Sequence, residues 1–217
     1  DVPSESQSRS EIDRWIVSEL NLLVQDVTTN LDRYDVYGAT IKITGFVDAL
    51  SNWYVRRSRD RFWRAADGGA GDADKRAAYE TLYECLTTLA GVMAPFTPYQ
   101  SEAIYRNLVV KGTGRGAASV HLTSFPEARP ERIDKALSTT IRAVRELVSL
   151  GLQVRTQGKL KVRQPLSVAK VILADPELPG RLLPYVDMMK DELNVLAVEL
   201  VTEGADEYVT YRVKPNF

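Results

Sequence analysis

Apolar positions recur at three- and four-residue steps along most of this chain, the spacing that lays one helix face against a core. The first run is Ile12, Trp15/Ile16, Leu20, Leu23, Val27 and Leu31. It opens at Ser10 with Asp13 three residues on, a capping-box spacing that satisfies backbone N–H groups at a helix start. Asn30 to Tyr34 reads as a turn. Val36, Thr40, Ile43, Val47, Leu50 and Tyr54 then resume the period, although Gly38 and Gly45 each cost that helix up to ~1 kcal/mol relative to Ala. The helix is expected to continue through Arg64 and to break at a flexible loop, Asp67-Gly68-Gly69-Ala70-Gly71-Asp72. Tyr79, Leu82, Leu86, Leu89 and Met93 predict a further helix ending at Ala94-Pro95-Phe96. Thr97 as N-cap, Pro98 at the first helical position and Gln100 at the capping-box position start the next, which buries Ile104, Tyr105 and Leu108. Ile133, Leu137, Ile141, Val144, Val148 and Leu152 predict a long helix after the Pro126 and Pro130 stops.

The pattern changes near Gly158. Residues 167–173 read as a strand, Asp175-Pro176 as a turn, and Arg181 to Asn194 as a short helix. Val195 to Val201 and Tyr208 to Val213 read as two more strands separated by a Gly204 turn. The fold class is therefore mainly α: an antiparallel helical bundle over residues 1–157, followed by a small mixed α/β unit over 158–217. A polar, Ser-rich start and a stop just after a strand suggest that both ends are cuts through something longer.

Composition narrows the function. The 217 residues carry 28 Lys+Arg against 29 Asp+Glu, a net charge of −1, which excludes binding to nucleic acid by overall charge but not by a local basic face. One cysteine, Cys85, rules out an internal disulfide framework, and with one histidine, His121, it cannot form a Cys/His zinc site. No run approaches the ~18 apolar residues of a membrane span and no signal peptide opens the chain, so a cytoplasmic location with no membrane partner is expected. Nucleotide-binding, zinc-protease and serine-hydrolase signatures are absent. Gly112-Thr113-Gly114-Arg115-Gly116 reads as a surface loop, and Val120-His121-Leu122 as a short β-like run with a structural histidine. No catalytic residue is assigned.

Charge is segregated in two places. Residues 53–64 hold five arginines against one aspartate, interleaved with aromatics. On a helix turning ~100° per residue, Trp53, Arg57, Arg61 and Arg64 share one stripe, with Arg56, Arg59 and Trp63 beside it. Guanidinium groups take phosphate in a fork and stack on bases, and indoles offer stacking faces, a mixture suited to single-stranded or looped RNA. Two roles stay open for these side chains: the arginines face RNA or pair with acids on adjacent helices, and the aromatics stack on bases or fill the core. The second segment, residues 155–165, has Arg155, Lys159, Lys161 and Arg163 and no acid. If extended, it places Lys159, Lys161 and Arg163 on one side, as a solvated linker or a second RNA contact. Phe96, Tyr99 and Tyr105 are expected to pack at a helix corner.

These segments sit inside a longer set of motifs. Asp13-Arg14-Trp15-Ile16, residues 50–59 (LSNWYVRRSR), residues 93–98 (MAPFTP), Ser119-Val120-His121-Leu122, residues 161–166 (KVRQPL), Glu192-Leu193-Asn194-Val195 and residues 211–217 (YRVKPNF) follow one another in order. The set resembles the anticodon-binding region of class I aminoacyl-tRNA synthetases of the isoleucyl, valyl and leucyl group, most closely the isoleucyl members. The resemblance implies a tRNA-binding role on the anticodon stem and loop, with tRNA(Ile) as partner. It also implies catalytic and editing domains of the same polypeptide outside this chain. ATP and Mg²⁺ are then implied for a whole enzyme and no cofactor for this chain, which alone should be inactive. The tRNA contacts expected on this basis are Trp53, Arg56, Arg57, Arg59, Arg61, Arg64, Lys159, Lys161 and Arg163. The alternatives are a valyl- or leucyl-type chain, or a helical protein-interaction module whose arginines meet an acidic partner.

Overall fold

The computed structural model describes residues 9–65 and 69–202. It is mainly helical with a small α/β part, as the apolar periods predict. The chain forms two compact units, Asp1–Ser138 and Thr139–Phe217.

In the first unit α1 (Glu11–Asp32) is the central element, with Trp15, Ile16, Val17, Leu20, Leu23, Val24 and Val27 all buried. A turn holding Tyr34 at φ 58° leads into α2 (Val36–Asp48), which packs on α1. So short a connection makes the two antiparallel neighbours. Asp35 caps α2 by accepting from the Gly38 N–H at 2.8 Å. A Cβ on residue 38 would lie 2.2 Å from the Asp35 carboxylate, so that glycine belongs to the cap. The inward face of α2 is Ala39, Ile43 and Phe46, continued by Leu50 and Tyr54; the expected Val36 and Val47 are exposed.

The helix does not run unbroken to Arg64. Residues Ala49–Val55 form a π-helical stretch, the chain turns at Ser58, and a short α3 (Arg59–Trp63) follows. α4 (Ala70–Met93) starts inside the expected loop, taking in Ala70, Gly71 and Asp72. Its buried face is mostly small side chains, Ala77, Ala78, Thr81, Cys85 and Ala90, with Leu89 and Val92 toward its C-terminal end, and it packs on α1. Tyr79, expected inside, is half exposed because smaller neighbours take the contact face. α5 (Pro98–Tyr105) begins at Thr97, but Thr97 Oγ1 turns back to donate to the Met93 carbonyl (3.4 Å) and does not cap α5. Tyr105 is buried with Ala90 and Val120, while Tyr99 points to solvent at 91% exposure and does not pack at the corner. A π-helical stretch, Arg106–Lys111, extends the helix toward a loop in which Gly114 and Gly116 take positive φ. Val120–Leu122 is a 3-10 turn and not a strand: Glu102 accepts from Ser119 Oγ and the Val120 N–H, and His121 stays exposed.

The division between units lies within α6 (Lys135–Gln157) and not at residue 157. Ahead of it, Asn21 Oδ1 accepts from the Arg129 N–H and Ser18 Oγ from the Asp134 N–H, tying residues 129–134 to α1. Beyond it, Gly151 lets Leu193 lie where a Cβ would be 2.6 Å away, so the second half of α6 belongs with the α/β part. That part is a β–α–β unit. Strand β1 (Leu166–Ile172) leads through α7 (Leu178–Leu182) and α8 (Val186–Leu193) to the parallel strand β2 (Val195–Val201), with Leu166 beside Val195. Asn194 ends α8 in the left-handed conformation, φ 49°. The expected strand Tyr208 to Val213, the Gly204 turn and the 211–217 motif lie outside the described residues.

Candidate nucleic-acid interface

Two motifs far apart in sequence meet at one buried carboxylate. Asp13, fully buried, accepts from Arg61 Nη1 and Nη2 at 2.8 and 2.7 Å, from the Tyr54 hydroxyl at 2.7 Å and from Ser10 Oγ at 2.7 Å. Arg61 Nε also donates to Asp74 Oδ1 at 3.0 Å. Burial by itself pushes the Asp13 carboxyl up, but the bonds from Arg61, Tyr54 and Ser10 outweigh it and hold the group below the usual carboxylate range. Burial and the same carboxylate push the Tyr54 hydroxyl up, so it stays a donor. Arg61 is thereby spent inside the fold. Trp53 is likewise buried, at 9% exposure. Both leave the predicted RNA stripe, and the reason is local. A π-helical stretch holds more residues per turn than an α-helix, and the chain turns again at Ser58, so the 100° wheel does not carry from Trp53 to Arg64.

The remaining members of this segment lie outward. Arg56 and Arg59 are exposed and Arg57 is half-buried. Arg56 Nε donates to the Asn52 carbonyl at 2.7 Å. Arg64 is half exposed, 4.0 Å from Asp74, and its carbonyl is held by Lys75 Nζ at 2.7 Å. Trp63 is 79% exposed on the one-turn α3, between Arg59 and Arg64 in sequence. Its neighbour Phe62 turns inward to Tyr54 and Tyr79, ring centroids 6.5 and 5.0 Å away. Of the two indoles in this segment Trp63 is the exposed one and Trp53 the buried one, and only the backbone path tells them apart.

In the second unit Lys159, Lys161 and Arg163 are all exposed. Arg155, read from sequence as part of the same basic run, is buried. Its Nη1 donates to the Leu193 carbonyl at 3.1 Å, and its Nη2 to the carbonyls of Lys161 (2.6 Å) and Gln164. Asn194 Nδ2 adds a bond to the Val162 carbonyl at 2.9 Å. The segment is accordingly a pinned turn and not an extended strand.

A third charge cluster is structural. Glu84 accepts from Arg9 and Arg132 and is held below the usual carboxylate range by those guanidinium groups against the upward push of burial. Among the described residues no group of three or more His, Cys, Asp or Glu could hold a metal ion, and no helix is long and apolar enough to cross a membrane.

Exposed arginines and a bared indole in one short segment offer the group types that bind phosphate and stack on rings, and comparison identifies the family. The family model for the anticodon-binding domain of tRNA ligases matches residues 13–171, and the chain belongs to that family. Its relatives are more specific. It is 46% identical over 194 residues to the isoleucine–tRNA ligase of Dehalococcoides mccartyi, covering 89% of this chain and 19% of that protein. It is 44% identical over 208 residues to the isoleucine–tRNA ligase of Deinococcus radiodurans, covering 96% of this chain and 18% of the relative. Against that of Thermobifida fusca it is 42% identical over 214 residues, 97% of this chain and 19% of the relative. The chain thus spans about a fifth of the length of the curated relatives it matches.

Proposed function

We propose that this chain is the anticodon-binding part of an isoleucine–tRNA ligase and that it grips the anticodon stem and loop of tRNA(Ile). Catalytic and editing domains of the same cytoplasmic polypeptide would carry out ATP-dependent aminoacylation. The observation that carries this reading is the outward set Arg56, Arg59 and Arg64 beside exposed Trp63, in a chain of this family. Its role is positional: cations on phosphates fix the register of the tRNA, and stacking on an unpaired base adds discrimination. Arg57, Lys159, Lys161 and Arg163 remain in the proposed set; Trp53 and Arg61 do not.

ATP and Mg²⁺ do not fit the described residues. The only Gly-x-Gly-x-Gly stretch, residues 112–116, lies at the C-terminal end of a helix, with Gly112 and Thr113 still helical. A phosphate there would meet the carbonyl end of the helix instead of the N–H end that favours anions. Both groups are assigned to the rest of the polypeptide.

The test is binding of tRNA(Ile) by the chain and by its Arg56→Gln/Arg59→Gln/Arg64→Gln variant over a salt series. Each phosphate neutralised contributes about −0.7 to −0.9 to the slope of log affinity against log salt, so the variant should flatten the slope by about 2 to 3. An unchanged slope in a folded variant would remove this face from the interface. Equal competition by valine or leucine tRNA would assign the chain to a sister enzyme. Binding of acidic peptides but not RNA would make it a protein-interaction module.

A further inference from the structure

The turn at residues 158–164 combines a left-handed lysine with a buried arginine. The first is Lys159. The end of α6 is closed by Leu160 N–H donating to the Arg155 carbonyl (2.8 Å) and Lys159 N–H to the Thr156 carbonyl (3.0 Å). In that helix-ending arrangement the residue with positive φ is most often glycine, because a Cβ strains the left-handed backbone. Here Lys159 holds it, at φ 55°, while Gly158 stands one residue too early. Tyr34 holds the same left-handed position at the end of α1, so the strain alone assigns no role; what differs at Lys159 is that an exposed cation stands on a turn fixed from below.

The second is the burial of Arg155, only 4% exposed, among main-chain carbonyls. Among the described residues its hydrogen-bond partners are the carbonyls of Leu193, Lys161, Val162 and Gln164, with no carboxylate. Burying a guanidinium is costly, and a carbonyl set can be served by neutral donors. What the guanidinium adds is a fork that reaches several carbonyls at once and a permanent positive charge under the turn. It draws the carbonyls of Lys161, Val162 and Gln164 inward, and Lys159, Lys161 and Arg163 are left exposed.

We propose that residues 159–163 are a phosphodiester-binding turn and that Arg155 is its positioning residue, holding Lys159, Lys161 and Arg163 in a fixed fan. The inference rests on the tRNA-binding reading and deepens it: Lys159, Lys161 and Arg163 already belong to the proposed set, and Arg155 is the device that holds them. A turn whose backbone is already pinned binds phosphate without the entropy loss of ordering that backbone on contact.

The experiment uses the full chain and an RNA hairpin carrying the anticodon loop of tRNA(Ile), with anisotropy read over a salt series and thermal unfolding read in parallel. Lys159→Gly should raise the unfolding temperature by relieving the backbone, yet weaken binding and flatten the salt slope by about 0.7 to 0.9. Arg155→Lys keeps the charge but not the fork; it should flatten the slope by about 1 to 2 as the fan disperses, with helical circular dichroism retained. Asn194→Gly suits the left-handed backbone and removes only the bond to Val162; it should act in the same direction as Arg155→Lys.

Parental affinity and slope in folded Arg155→Lys would make Arg155 a structural residue only and overturn the positioning role. A parental slope in Lys159→Gly would remove the turn from the RNA surface. If Arg155→Lys fails to fold, the other two variants decide, and parental slopes in both overturn the proposal. Sensitivity to Arg56, Arg59 and Arg64 with none to the turn would defeat this inference while leaving the proposed function standing. No binding by the parent chain would defeat the proposed function itself.

Discussion

At the scale of single residues, the arginines of one short stretch have opposite fates. Arg61 donates twice to a fully buried Asp13, whereas Arg59, two residues earlier, is exposed. Removing one partner of a buried pair leaves the other charge uncompensated, at a cost of about 3–5 kcal/mol. Arg61→Gln should therefore unfold at markedly lower temperature or denaturant concentration, whereas Arg59→Gln should leave stability within about 0.5 kcal/mol and change only RNA binding. Chemical denaturation of the two variants checks the contrast. The pH dependence follows from the same groups. Asp13 and Glu84 both have carboxyls held below the ordinary range in the fold. Stability from a depressed carboxyl is fully present above its unfolded value, about 3.9 for Asp and 4.3 for Glu, and is lost as pH falls through the folded value. Unfolding temperature should thus hold between about pH 6 and 5 and drop below about 4. In Arg61→Gln the acid limb should move to higher pH, because burial of Asp13 is then left without its main offset.

At the scale of elements, two glycines in helices call for opposite substitutions. A Cβ on Gly45 would meet nothing within 4 Å, so Gly45→Ala should stabilise α2 by about 0.5–1 kcal/mol through propensity alone. A Cβ on Gly91 would lie 2.7 Å from Pro126 Cγ, in a rigid ring, so Gly91→Ala should lose about 1–3 kcal/mol to overpacking despite the same gain in propensity. Thermal melts of the two variants should shift in opposite directions. This is also the scale at which the sequence is legible. The periods of α1 and α6 predict their buried faces because the helices are long and regular: Leu137, Ile141, Val144 and Val148 are all inside. Where the backbone departs from α geometry, at residues 49–58, the wheel misplaces Trp53 and Arg61. Where the contact face is mostly small, as on α4, Leu89 packs as its period predicts but Tyr79 is left half exposed. The site is legible in kind, because arginines, indoles and motif order are all composition and spacing. It is not legible in particulars, because whether an arginine turns to solvent or to Asp13 depends on a partner nearly fifty residues away.

At the scale of the whole molecule, the two basic segments belong to different compact units, with Arg56, Arg59 and Arg64 in the first and Lys159, Lys161 and Arg163 in the second. If both meet the same RNA, their combined slope loss should exceed either alone and approach the sum, as expected for separate phosphate contacts. A salt series on the six-site variant beside each triple variant measures this. A combined effect no larger than that of one segment would leave a single segment in contact.

The path of α6 bears on how such a protein can be taken apart or recombined. A cut at residue 157, where the hydrophobic period changes, looks natural in the sequence, yet it would sever Leu193 from Gly151 and the carbonyls of Lys161, Val162 and Gln164 from Arg155. A piece beginning at 158 would carry an orphaned turn and an exposed leucine. One beginning at Thr139 keeps the brace and the load it supports together. An exchangeable cassette in this family should therefore include most of a helix that, by its amphipathic period, looks like the property of its neighbour. Helical circular dichroism and solubility of pieces 139–217 and 158–217 should separate a folded cassette from a collapsed one.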